Sequence, residues 1–141
     1  MKKLFFVLIL GLFSFNYASA QTSTEIVWEQ LQNSYTEASD LGYTVKNYIV
    51  GGLDADDNTS WTFNFSASKD YIFVAVCDAD CEDIDLYLNN VNGEEIDKDT
   101  EEDDYPVVTY SPAYSGQYEL KVTMYSCEIE PCYFGIGIFE K

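Results

Sequence analysis

The sequence predicts a mainly β protein: an antiparallel β-sandwich of jelly-roll type with about eight strands and one short N-terminal helix. Three observations carry that expectation. From residue 43 onward, apolar side chains recur at every second position in short runs. Turn signals rich in Gly, Asn, Asp and Ser separate those runs at intervals of about eight to twelve residues. Ahead of them stands a single stretch whose apolar spacing is three or four.

The first residues have the form of a cleaved signal peptide, residues 1–20. Lys2 and Lys3 make a positive start, residues 4–13 an apolar run, and Ala18-Ser19-Ala20 a small-residue cleavage site. The apolar run is short for a membrane span, which needs about 20 residues. The expectation is a secreted or periplasmic protein that begins at Gln21, with no membrane span and one domain in the remainder.

Thr22 followed by Glu25 reads as a capping box. Val27, Leu31, Tyr35 and Ala38 then form an apolar stripe, widened by Ile26 and Trp28, over a helix at about residues 23–39. Gly42 ends it. Such a short helix is marginal alone in water, so the stripe is expected to pack on the β domain C-terminal to it. Residues 21–42 are therefore an N-terminal helix and residues 43–141 the sandwich.

Residues 43–50 are rich in Val, Ile, Thr and Tyr, and Gly51-Gly52 is read as their end. Trp61, Phe63 and Phe65 alternate with polar neighbours, as in a half-buried strand. Residues 71–77 are almost continuously apolar, as in a central strand. Ile84, Leu86 and Leu88 alternate with Asp83, Asp85 and Tyr87. Asn92-Gly93 signals a hairpin with a return strand at residues 94–97. Residues 98–104 read as a charged loop, and residues 105–110 as a strand with Pro106 near its start. Tyr118, Leu120, Val122 and Met124 alternate in the next strand, and residues 133–139 form the last.

Four cysteines in an exported chain read as two disulfides. Cys77 and Cys81 flank one predicted loop, and Cys127 and Cys132 flank another. Local pairing is the expectation. Crossed pairing between the two loops stays open, since four cysteines allow about three connectivities.

At this point a resemblance emerges. The pattern Tyr71-x-Phe73-x-Ala75-x-Cys77, the run Asp83-Ile84-Asp85-Leu86-Tyr87-Leu88, the turn Asn92-Gly93 and the stretch Ser115-Gly116-Gln117-Tyr118 resemble the bacterial pre-peptidase C-terminal domain. The resemblance covers residues 48–141. It implies a β-sandwich, similar to the collagen-binding domains of secreted collagenases, some of which bind calcium. It also implies a non-catalytic accessory or binding module.

Composition narrows the function. Histidine is absent, and all seven cationic side chains are lysines, two of them in the signal. Five lysines then stand against 25 carboxylates, a net charge of −20 for residues 21–141. Such a chain is not expected to bind nucleic acid or anionic membranes. Without histidine or arginine, His-assisted nucleophiles and arginine clamps cannot be built. Paired carboxylates alone support glycoside hydrolysis, so a small carboxylate-dependent hydrolase is the catalytic alternative. A structural, envelope-associated protein without a discrete ligand is the other. The preferred reading is a module that binds an extracellular protein or polysaccharide.

Two acidic clusters mark a candidate metal site. Asp78, Asp80, Asp83 and Asp85 surround the first cysteine pair, and Asp103 and Asp104 close the following loop. Several oxygens from two flexible segments suit calcium. The alternative is a solvated acidic edge that confers solubility. The abundant tyrosines read as sandwich core and rim, or as a surface for sugars or peptides.

Overall fold

In the computed structural model, which describes residues 22–141, α1 (Ser23–Asp40) starts at the expected cap. The Thr22 hydroxyl accepts from the Glu25 N–H, and the Thr22 N–H donates to the Glu25 carboxylate at 2.8 Å. Two orphan donors of the first turn are thereby satisfied. Gly42, at φ +85°, carries the chain out of the helix. The signal peptide and cleavage site read at residues 1–20 lie outside the described residues.

Eight strands succeed the helix: β1 (Thr44–Leu53), β2 (Asn58–Phe65), β3 (Tyr71–Cys77), β4 (Cys81–Asn90), β5 (Glu95–Asp99), β6 (Val107–Tyr110), β7 (Gly116–Cys127) and β8 (Cys132–Glu140). They form two four-stranded sheets, β1-β8-β3-β6 and β2-β7-β4-β5, with every pairing antiparallel. Apart from the β4–β5 hairpin, each connection passes from one sheet to the other. This is the order of an eight-stranded jelly roll.

The alternating residues meet between the sheets. Phe73, Ile84, Leu86, Leu88, Leu120, Val122, Met124, Phe134, Ile136 and Ile138 are all buried there. Each such side chain contributes about 1.5–3 kcal/mol of burial. Phe65 anchors one end, with ring centroids 4.6 Å from Tyr71, 5.1 Å from Phe73 and 5.6 Å from Tyr118. The Tyr71 hydroxyl is not stranded by its burial, because it accepts from the Ser66 N–H at 2.9 Å.

β3 is buried at every position because it has two apolar neighbours. Phe73, Ala75 and Cys77 face the second sheet, while Ile72, Val74 and Val76 face α1. On β8, Gly135 lets the helix approach. A Cβ there would lie 2.7 Å from Leu31 Cδ1 and 2.9 Å from Val27 Cγ1. The helix thus packs across β8 and β3, as its stripe required.

The structure corrects several details. Val27, Leu31, Ser34 and Ala38 form the buried face of α1, so Ser34 takes the place given to Tyr35. Tyr35 is 47% exposed and Trp28 45%. Both lie to one side of the buried stripe, toward β1. Ser34 is tolerated inside because its hydroxyl donates to Gln30 O and meets the Tyr105 hydroxyl at 2.8 Å. Gly51-Gly52 does not end β1, which runs on to Leu53 opposite Cys132. Gly51 lies under the Phe134 ring, where a Cβ would come within 2.9 Å. Lys98 and Asp99 belong to β5, not to the loop after it, because they pair with Tyr87 and Leu86 of β4.

Candidate functional site

β4 alternates as expected, with Ile84, Leu86 and Leu88 in the core and the acidic residues on the other face. The segment after β5 then folds back onto β4: the Ile84 N–H donates to Asp103 O at 3.1 Å. That contact brings the two acidic segments together. Burial, followed by the charges of Asp85, Glu102 and Asp103, holds the Asp83 carboxyl above its ordinary value. Its Oδ1 is buried without a hydrogen-bond partner. Asp85 is only 7% exposed, against the expectation that this face is open. Its Oδ2 accepts from the Tyr87 hydroxyl at 2.8 Å. Burial and that carboxylate push the Tyr87 phenol up to about 12. Lys121 Nζ sits 4.5 Å from the Tyr87 ring centroid.

Asp103 also fixes the local backbone, since its Oδ1 accepts from the Tyr105 N–H at 3.0 Å. Asp104 is exposed. Asp78 and Asp80 bond to a different segment. Asp78 is 2% exposed, and its Oδ2 accepts from the Tyr133 N–H at 3.0 Å. Asp80 O accepts from the Glu128 N–H at 2.7 Å. The proposed calcium ligands therefore fall into two sets with different partners. Among the described residues, no three carboxylates are grouped so as to hold a metal ion.

Both disulfides are local, Cys77–Cys81 and Cys127–Cys132, with Cα–Cα distances of 5.9 and 5.8 Å. Cys81 stands opposite Cys127 in the β4–β7 ladder, and Cys132 opposite Leu53 at the end of β1. The two bridges close the same end of the sandwich, where Asp78 ties the turn after β3 to the start of β8.

A second feature lies on the outer face of the first sheet. A groove of about 260 Å³ runs between α1 and β1, walled by Trp28 and Tyr35 on the helix and by Val45 and Tyr48 on the strand. Trp28 and Tyr48 meet edge-to-face at 5.4 Å. A bulge between Val45 and Asn47 makes this wall. Without the extra residue, Val45 and Tyr48 would face opposite sides of the strand. None of the nine residues lining the groove carries a charge.

The fold has a counterpart among solved structures. It is similar to the crystal structure of the pre-peptidase C-terminal domain of collagenase from Bacillus anthracis, with a TM-score of 0.51 and 14% sequence identity. The likeness covers 67% of this chain and 89% of that one. No family model and no curated protein matches the chain. The likeness is one of fold, and it falls on the same family that the Asp83–Leu88 run and the Ser115–Tyr118 stretch resemble in sequence.

On this sandwich, the structure joins Asp83, Asp85 and Asp103, adds Glu102, and leaves Asp78, Asp80 and Asp104 with other surroundings. The sequence pattern does not single out the groove residues as a site, and it assigns Trp28 and Tyr35 to the buried stripe. For Trp28 the available signal is its offset of one residue from Val27, about 100° around a helix, whereas Tyr35 keeps the stripe's spacing and has no such signal. The bulge in β1 has no comparable signature.

Proposed function

We propose that the protein is a secreted, non-catalytic module that binds an extracellular protein or polysaccharide. The observation that carries this reading is the uncharged aromatic groove on an otherwise strongly acidic, disulfide-closed sandwich. Contiguous exposed aromatic surface disfavours solubility and is common at recognition sites. The fold likeness to a domain named for its place in a collagenase supports a module of this kind. Two disulfides suit an oxidising compartment. Among the described residues no helix is long and apolar enough to cross a membrane. Export with cleavage before Gln21 completes the reading. The intact mass of the exported product checks it, and retention of residues 1–20 contradicts it.

Binding is tested by co-sedimentation with insoluble collagen, chitin and cellulose and by thermal shift with soluble proteins and glycans. The expected result is retention or stabilisation by at least one of them, without turnover of peptide, ester or glycoside substrates. Turnover that disappears in Asp83→Asn replaces this reading with a carboxylate-dependent hydrolase.

Calcium forms a second part of the reading, favoured by the orphaned Oδ1 of Asp83. The donors beside it are carboxylate oxygens, as a hard cation requires. In their present arrangement they do not form a cage. Asp83, Asp85, Glu102 and Asp103 would hold calcium by being drawn together, and weakly, with a dissociation constant on the order of 10⁻⁴ to 10⁻³ M.

A further inference from the structure

We propose that the groove between α1 and β1 docks an extended cationic peptide segment. The segment adds as a strand to the open edge of β1 and seats alternate apolar side chains against Trp28, Tyr35 and Tyr48. This inference rests on the binding-module reading and names the partner of that site.

The edge comes first. β1 is the outermost strand of its sheet, with β8 on one side only. The Tyr48 N–H donates to the side chain of its neighbour, Asn47 Oδ1, at 2.8 Å. Donors on a strand alternate sides, so the N–H groups of Val50 and Gly52 face the same open edge. The Tyr48 N–H is held by Asn47 Oδ1, so Val50 and Gly52 supply the open donors, and open donors along a strand edge are a template for another strand.

The second observation is where exposed apolar surface gathers. Trp28, Tyr35, Val45, Tyr48 and Val50 are between 44% and 55% exposed. They make up five of the twelve large apolar side chains exposed among the described residues. The other edge strands do not combine these features. β5 and β6 are only five and four residues long. β2 presents Ser60, Thr62 and Asn64 on its exposed face.

Size and charge then select the occupant. A groove of about 260 Å³ is smaller than most small-molecule pockets, which run from about 300 to 1,000 Å³, and suits single side chains entering in sequence. Glu25 and Glu29 are each three residues before a groove residue, Trp28 and Gln32, so they form an acidic shoulder. The described residues as a whole carry five lysines against 25 carboxylates. A second copy of the chain brings the same excess of negative charge and is repelled. A segment that alternates lysine or arginine with aromatic or branched residues satisfies edge, groove and field together.

The test uses a heptapeptide alternating lysine with valine and phenylalanine, followed by ¹⁵N amide shifts and calorimetry on the whole protein. Binding is expected to move amides of β1 and α1 and to weaken as salt is raised. Trp28→Ala and Tyr48→Ser each reduce affinity about tenfold, the scale of an interface anchor. Both positions are half-exposed, and thermal melts confirm that the variants fold. N-methylation of alternate peptide amides abolishes binding, and the glutamate counterpart does not bind. Equal binding of the lysine and glutamate peptides, indifference to N-methylation, shifts confined to the opposite sheet, or no binding would each overturn the proposal. A cello-oligosaccharide that takes the groove where the peptide does not makes it a glycan site. Concentration-dependent dimers that mask β1 make it a self-association face. Either overturns the peptide assignment and leaves the module reading to its own co-sedimentation test.

Discussion

Asp83 keeps one carboxylate oxygen beyond the reach of any donor while Asp85, Glu102 and Asp103 crowd around it. Its carboxyl is raised above 3.8 by burial first and by those charges second. A carboxyl raised on folding favours the fold while protonated. That contribution is present below the unfolded value and is lost as pH rises through the folded one. At neutral pH the ionised Asp83 is therefore a liability. Asp83→Asn is expected to stabilise the protein at pH 7. The gain should shrink at acid pH, as the native carboxyl takes up its proton. Urea unfolding at the two pH values measures this, and a variant less stable at pH 7 refutes it. Gly135 is the opposite kind of residue, fixed by space and not by charge. Gly135→Ala places a methyl against the buried side chains of Leu31 and Val27. Overpacking of this kind costs about 1–3 kcal/mol. A melting temperature unchanged in the Ala variant contradicts the observed docking of α1.

At the scale of elements, the two disulfides each close a very short loop. Chain entropy assigns such loops about 2 kcal/mol apiece. Replacing Cys127 and Cys132 together by serine is expected to lower stability by about that amount while leaving Cys77–Cys81 intact, read by denaturant unfolding and non-reducing peptide mapping. The acidic segments give a second element-scale outcome. Millimolar calcium is expected to raise the melting temperature more than magnesium, which demands tighter octahedral geometry. Asp83→Asn and Asp85→Asn should reduce that difference. Equal effects of calcium, magnesium and matched sodium chloride mean screening of a crowded surface and nothing more. The strands themselves were legible in the sequence because each buries one face, and alternation such as Ile84-Asp85-Leu86-Tyr87-Leu88 records it directly. β3 was legible as a central strand for the complementary reason, burial on both faces. Gly51-Gly52 misled because glycine marks turns and also marks close approach, and here it lies under Phe134. The cysteine pairing was only partly legible. The short separations across two loops pointed to the local pairs that form, but Cys81 and Cys127 are cross-strand neighbours, so all four cysteines converge in space and the sequence did not close off crossed pairing.

The whole molecule sets a strong negative field against a small uncharged groove. Its fold was legible before its groove was. Core positions declare themselves by periodicity, but a groove depends on how a helix lies across a sheet and on one bulged residue in β1. The acidic segments were visible as clusters, yet only the backbone contact from Ile84 to Asp103 decides which carboxylates meet. The central claim is that this sandwich recognises extracellular material through the α1–β1 groove without transforming it. The most direct measurement takes the wild-type protein and a Trp28→Ala/Tyr48→Ser double variant through the same co-sedimentation and thermal-shift series. Turnover is assayed in the same samples. The account predicts that wild type is retained by or stabilised with a ligand, that the folded double variant is not, and that neither produces turnover. Retention unaffected by the double substitution, or turnover in the wild type that Asp83→Asn removes, contradicts it.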